Sequence, residues 1–213
     1  MLSLAISIFG ASGATGRILV RQALEKGHRV HAHCRASSHW TAPSGVTVLR
    51  SDFDDSTALD ELVRGCDAVL CVLGRRPPHR DVFCAAATRA IIDAMVREHV
   101  DHLLCLTGAM IAPDASHLSI PARAMAALFG RSRPAVAADR ASQETLVRES
   151  GMRWTVFKPP RLTDGRATGR LRASTTLRVG LRSFVPREEL AAYMITVAVQ
   201  KLHVGECVYL SAA

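Results

Sequence analysis

Aromatic side chains are scarce in this sequence, only 5% of its 213 residues, which leaves few rings on which single-stranded nucleic acid could stack. No helix-turn-helix or zinc-finger pattern occurs either. The basic balance, 27 Lys and Arg against 19 Asp and Glu for a formal charge of +8, is therefore read as favouring a small anionic partner and no nucleic acid. The six cysteines (Cys34, Cys66, Cys71, Cys84, Cys105 and Cys207) form no Cys-x-x-Cys pair, and the nine histidines offer no His-x-x-x-His or His-Glu-x-x-His spacing. No metal is expected, and cysteines set in apolar runs read as buried free thiols. The apolar run from Leu4 to Phe9 is too short for a membrane span or a signal core, so a cytoplasmic protein without a membrane partner, monomer or homodimer, is expected. No repeat, low-complexity tract or linker divides the chain, and its length and 48% hydrophobic content suit one domain over residues 1–213.

What is present is concentrated at the start: Leu4-Ala5-Ile6-Ser7-Ile8-Phe9-Gly10-Ala11-Ser12-Gly13-Ala14-Thr15-Gly16-Arg17. An apolar run of strand length meets three glycines at three-residue spacing, and an amphipathic stretch to about Lys26 follows. In such a strand–turn–helix, Gly10 permits the tight turn, Gly13 admits a pyrophosphate close to the backbone, and Gly16 lets helix and strand pack closely. The helix start directs free N–H groups and its positive dipole end at the phosphates. The whole stretch, with Ser12, Ala14, Thr15 and Arg17, reads as a dinucleotide cradle. Arg29 to Cys34 reads as the second strand. At its end, where an NAD-preferring site usually places Asp or Glu, stand Arg35, Ala36, Ser37 and Ser38. A guanidinium pairs bidentately with a 2′-phosphate and Ser38 can add a hydrogen bond, so NADP(H) is the expected cofactor.

Strand-like and helix-like segments alternate through the rest. Strands are expected at Val46–Leu49, Asp67–Leu73, Leu103–Thr107, Arg153–Lys158 and Glu206–Leu210, the last closing the sheet. Helices are expected at Thr57–Arg64 (started by Asp54, Asp55 or Ser56), Val82–Glu98, Ala138–Ser150 and Pro186–Gln200. The pattern is α/β: a Rossmann-type doubly wound parallel sheet with right-handed crossovers. Segment 113–137, rich in proline and including a short apolar helix from Ala122 to Phe129, breaks the rhythm and reads as a small lid-like insertion.

In such a sheet the ligand crevice lies at the carboxyl ends of the strands. Those ends hold the glycine turn, Arg35, Asp52-Phe53, Leu73-Gly74-Arg75-Arg76, Thr107-Gly108 and Lys158-Pro159-Pro160-Arg161. Asp52 could accept from the adenine amino group with Phe53 packed beside the ring, and Leu73-Gly74 could let the backbone pass close to the cofactor.

The opening Phe9-Gly10-Ala11-Ser12-Gly13-Ala14-Thr15-Gly16, followed by Cys34-Arg35, resembles the atypical short-chain dehydrogenases/reductases. Within them the chain is most similar to the NAD(P)H-binding families that contain biliverdin reductase B (flavin reductase) and NmrA-like proteins. A second match runs from Gln143 through Phe157-Lys158-Pro159-Pro160-Arg161 to Gly165. The resemblance implies a Rossmann-type fold and a cytoplasmic NADP(H)-using protein.

Departures from that group shape the expected chemistry. Carbonyl-reducing short-chain dehydrogenases use a Tyr-x-x-x-Lys pair. Here Tyr193 and Tyr209 are followed four residues later by Val197 and Ala213, and the expected register holds Ala135 and Asp139. Gly108 stands where biliverdin-reductase-like chains carry Ser, and Arg161 where they carry His. A flavin or quinone needs no protein acid at one developing alkoxide, because its charge spreads over conjugated atoms and water can protonate it. The expected activity is thus NADPH-dependent hydride transfer to a planar, conjugated, anionic acceptor. Thr107 and Arg161 are its candidate catalytic residues; Arg161, with Arg75 or Arg76, is read as an electropositive mouth, and Arg80 opens onto the same crevice. A non-catalytic NADP(H) sensor of NmrA type is the alternative. A sugar-nucleotide epimerase, which also needs the Tyr–Lys pair, is more remote.

Overall fold

Apolar runs buried on both faces make the centre of the molecule. The computed structural model describes residues 3–74, 82–111 and 116–212. In chain order it comprises β1 (Ala5–Phe9), α1 (Ala14–Glu25), β2 (Arg29–Cys34), β3 (Val46–Arg50), α2 (Ser56–Val63), β4 (Ala68–Cys71), α3 (Cys84–Arg97) and β5 (His102–Leu106). There follow α4 (Ile120–Ser132), α5 (Pro134–Arg148), β6 (Arg153–Lys158), β7 (Arg161–Thr163), β8 (Arg172–Ser174), β9 (Phe184–Pro186), α6 (Arg187–Gln200) and β10 (Glu206–Ser211). Eight strands form the main sheet in the order β3-β2-β1-β4-β5-β6-β10-β8. All its neighbours pair in parallel except β8, which runs antiparallel to β10 through Tyr209↔Ser174 and Leu210↔Ala173. A separate parallel pair joins β7 to β9.

Alternate residues of the buried strands feed two cores. Ile6, Ile8, Leu70, Leu104 and Leu106 meet α1 and α6 on one face. Phe9, Val69, Cys71, Leu103 and Cys105 meet α2, α3 and α5 on the other. Glu188 ties the first pair of helices together, accepting from Arg21 Nη2 and Gln22 Nε2, each at 2.7 Å. Because β2 and β3 lie to one side of β1 and β4 and β5 to the other, the strand order reverses between β1 and β4. That reversal opens the crevice.

The structure sharpens several expectations. Asp55 is the residue that caps α2, its carboxylate accepting from Ala58 N at 3.0 Å. Five of the six thiols are buried, Cys207 is half-buried, and all are free. Two expectations change. β10 does not close the sheet: β8 lies outside it, formed by a segment whose arginines and short apolar steps give no readable strand period. Helix α5 begins at Pro134, where proline suits the first helical turn, so the stretch before Ala138 is regular helix. The described part of segment 113–137 packs on α5 and on residues 177–179. Among the described residues no helix is long and apolar enough to cross a membrane.

Candidate functional site

A cavity of about 600 Å³ lies over the carboxyl ends of the strands, across the β1/β4 reversal. Its floor is the turn between β1 and α1. Gly10 has φ +88°, and a Cβ there would lie 2.8 Å from the Val72 carbonyl oxygen of the neighbouring strand end. Gly16 carries the sternest constraint, since a Cβ would fall 2.1 Å from the Gly10 carbonyl oxygen. Gly13 caps α1 in an extended conformation, and a Cβ on it would come within 3.2 Å of that oxygen. Gly10, Ser12, Gly13, Ala14 and Thr15 line the cavity, and the first N–H groups of α1 lack intrahelical acceptors. The cradle fits a pyrophosphate: free N–H groups and a positive dipole end open on the cavity, and the tight turn that presents them has no room for a Cβ at Gly10 or Gly16. Arg17 stands behind the loop, its Nε donating to Ser12 O at 2.8 Å.

At the end of β2, His33, Cys34 and Arg35 line the cavity, with Asp52 and Phe53 beside them. His33 sits between Phe9 and Phe53, ring centroids 5.3 and 4.7 Å away, and its Nε2 meets Ser51 Oγ at 3.2 Å. Burial pushes its pKa down to about 4, so the ring is neutral at pH 7. Arg35 is exposed along its edge of the cavity. Ser38 does not line it: its N–H donates to Arg35 O at 2.9 Å and its hydroxyl accepts from Trp40 N, shaping the turn that presents Arg35.

Val72, Leu73 and Gly74 line the wall after β4, and Leu106 and Thr107 the wall after β5. Arg75, Arg76 and Arg80 fall outside the described residues. Thr107 is held by its N–H to Phe157 O at 3.0 Å and by a long contact of 3.5 Å from its hydroxyl to Glu144 Oε2. Lys158, Pro159 and Pro160 are placed behind this wall. Pro159 O accepts from Ala109 N at 2.8 Å. The Lys158 ammonium is buried, 2.5 Å from Glu144 Oε2 and 2.9 Å from Ile111 O. Arg161 is exposed and off the cavity, whereas its neighbour Leu162 lines it.

Two cations not singled out as site residues do line the cavity: Arg140 and Arg187. Arg140 donates from Nη1 to Gln143 Oε1 at 2.7 Å and passes beside Gly74. Arg187 donates from Nη1 to Asp164 Oδ1 at 2.6 Å. Asp139 faces away from the cavity, its carboxylate accepting from Cys84 N at 3.0 Å and Ala85 N at 2.9 Å. An acidic side chain on α5 thus caps the N-terminus of α3, where Phe83 supplies no side-chain cap. The cavity-facing position of α5 is one residue later, about 100° round the helix.

Comparison with known proteins agrees with this fold. ChuY, an anaerobilin reductase from Escherichia coli O157:H7, superposes with a TM-score of 0.79 at 21% identity, over 98% of this chain and 97% of its own. A wide-type short-chain dehydrogenase/reductase from Veillonella parvula, solved in complex with NADP, gives a TM-score of 0.81 at 14% identity, over 99% and 95%. An uncharacterised chloroplastic protein of Arabidopsis thaliana is 26% identical over 176 residues. That match takes in 77% of this chain and spans about three fifths of the relative's length, 61%. Residues 10–201 match the family model described as NAD(P)H-binding, and the chain, with its glycine cradle at a Rossmann reversal point, belongs to that NAD(P)H-binding family.

Proposed function

We propose that the protein is an NADPH-dependent reductase that delivers hydride to a planar, conjugated, anionic acceptor. The observation that carries this reading is one continuous cavity bearing Arg35 toward one end and Thr107 with Arg140 toward the other. The β2 and β5 ends are three strand spacings apart, about 14 Å along the sheet, with the glycine cradle between them. Arg35 at the end of β2 suits a 2′-phosphate, and the N-terminus of α1 suits the pyrophosphate.

Bound NADPH supplies the hydride. The protein's part is to hold, orient and stabilise. Thr107, fixed through its backbone to β6, orients the acceptor. Arg140 holds a permanent positive charge near the space where electron density grows on the acceptor, and such preorganised charge is effective where water is scarce. Neither residue has to act as the acid that an isolated ketone needs, and solvent protonates the reduced acceptor. The anaerobilin reductase among the structural neighbours is consistent with this acceptor class.

The test is NADPH and NADH oxidation against a panel of flavins, quinones, linear tetrapyrroles and simple ketones, with calorimetric titration of both cofactors. Turnover of conjugated acceptors with NADPH, and none of ketones, is expected. Tight NADPH binding with no turnover on any acceptor would replace the enzyme by an NADP(H) sensor.

A further inference from the structure

Helix α4 is built inside out. Its single buried residue is Ala122, which with the partly buried Ala126 rests on Leu118, Val179 and Tyr209. Its large aliphatic side chains face away from that contact: Ile120 is 81% exposed, Leu128 62% and Met125 46%. Ile120, Ala124 and Leu128 follow one another at four-residue spacing, which makes one stripe along the helix. A helix serving only the core would place these residues inward and its alanines outward.

The strip beside it has the same character. Leu118 bridges Val179 in parallel, with Ser119 N donating to Val179 O and Val179 N to His117 O. That register carries Leu181, itself 46% exposed, level with Ile120. Charge on this face has one sign. Arg131 and Arg133 end the helix, Arg178 and Arg182 flank Leu181, and all four are exposed. The sequence holds no Asp or Glu from Ser116 to Ala138 or from Gly165 to Arg187. Asp164, just before the second stretch, is bound by Arg187.

We infer that this face docks on an anionic membrane surface, with Ile120, Met125, Leu128 and Leu181 seated among the acyl chains and the arginines on lipid phosphates. A convex helix with aliphatic residues outward and a basic border is the pattern of an interfacial helix. A second copy of the chain is disfavoured, because a two-fold contact through this face would set its arginine border against the same border of the copy, with no acid in either stretch to pair with it. This departs from the expectation of no membrane partner and is independent of the acceptor. The protein would lie on the bilayer, not cross it.

The experiment is co-sedimentation with vesicles of equal parts phosphatidylglycerol and phosphatidylcholine, against vesicles of phosphatidylcholine alone. Leu128→Asp and the double variant Arg178→Gln/Arg182→Gln are compared with the unmutated protein. Both lie outside the cofactor cavity, so calorimetric NADPH binding checks that each is folded. Binding to the anionic vesicles is expected to weaken roughly tenfold or more in either variant. It should also fall as salt rises from about 0.05 M to about 0.5 M, where screening shortens the reach of the arginines. Equal binding to both vesicle types, no binding at low salt, or binding indifferent to both variants would overturn the inference. So would a dimer, seen by light scattering, that Leu128→Asp dissociates, since the face would then belong to a second copy.

Discussion

Removing one member of the Lys158–Glu144 pair should cost far more than removing both. The two side chains are 1% and 5% exposed and lie 2.5 Å apart. Lys158 also donates to Ile111 O at 2.9 Å, and Glu144 takes the long contact from Thr107. Lys158→Met leaves a buried carboxylate without its cation and the Ile111 carbonyl without its donor, while Glu144→Leu leaves a buried ammonium. An uncompensated buried charge of this kind costs about 3–5 kcal/mol. In a domain of this size that lowers Tm by roughly 6–20 °C. The double variant removes both charges and keeps apolar volume, so it should lie within about 2 kcal/mol of the parent, because replacing a whole buried pair is often near neutral. Urea denaturation of the four proteins, followed by circular dichroism, closes the cycle. If the double variant costs the sum of the singles, or each single costs under about 1 kcal/mol, then the pair is hydrated and this account of the wall behind Thr107 fails.

Arg35→Ala should weaken NADPH about tenfold to a hundredfold and leave NADH nearly unchanged, as titration calorimetry will report, because one charge-assisted bidentate contact is lost. Gly16→Ala should destabilise the fold and abolish cofactor binding, since its Cβ would meet the Gly10 carbonyl oxygen at 2.1 Å. Gly13→Ala, with its contact at 3.2 Å, should remain folded and lose affinity only. Burial holds His33 and His102 at pKa values of about 4, against an ordinary value of 6.5. Between those values the unfolded chain takes up protons that the native state refuses. Their contribution is therefore complete above pH 6.5 and is lost as pH falls toward 4, on the order of 3 kcal/mol each. His33→Phe should flatten part of that slope in denaturation measured across this range. Asp139→Ala should cost about 1–2 kcal/mol by uncapping α3, and Ala135→Tyr/Asp139→Lys should create no ketone reductase, because position 139 faces α3.

Where local chemistry decides the structure, the sequence was legible. Three glycines between an apolar run and an amphipathic one placed the cradle, and Arg35 at the β2 end fell on the cavity. So did Asp52, Phe53, Leu73, Gly74 and Thr107, because the carboxyl ends of parallel strands meet at the strand-order reversal. Legibility failed where a side chain's direction depends on helical phase or on a distant partner. Asp139 and Arg140 are adjacent, yet one caps α3 and the other lines the cavity; about 100° of helical turn and the partner each meets across the fold separate those outcomes. Lys158 sat at the right strand end, but Glu144, fourteen residues earlier, draws it behind the wall. β8 went unread because its pairing with β10 is non-local and its three residues are too few for a period of two.

The position of β10 bears on how the molecule is made. It fills the place between β6 and β8, so the outer edge of β6, with Thr155 and Phe157 on it, stays bare until residues 206–211 have left the ribosome. Strands β1 to β5, which carry the cradle and most of the cavity, can pair well before then. The nascent protein therefore passes through a stage in which the half that receives the cofactor is assembled beside an unpaired, apolar strand edge. Such an edge is a template for pairing with another chain. Interrupting synthesis late, between β9 and β10, should consequently yield aggregates more readily than release after β10, a contrast that ribosome release at defined codons can measure.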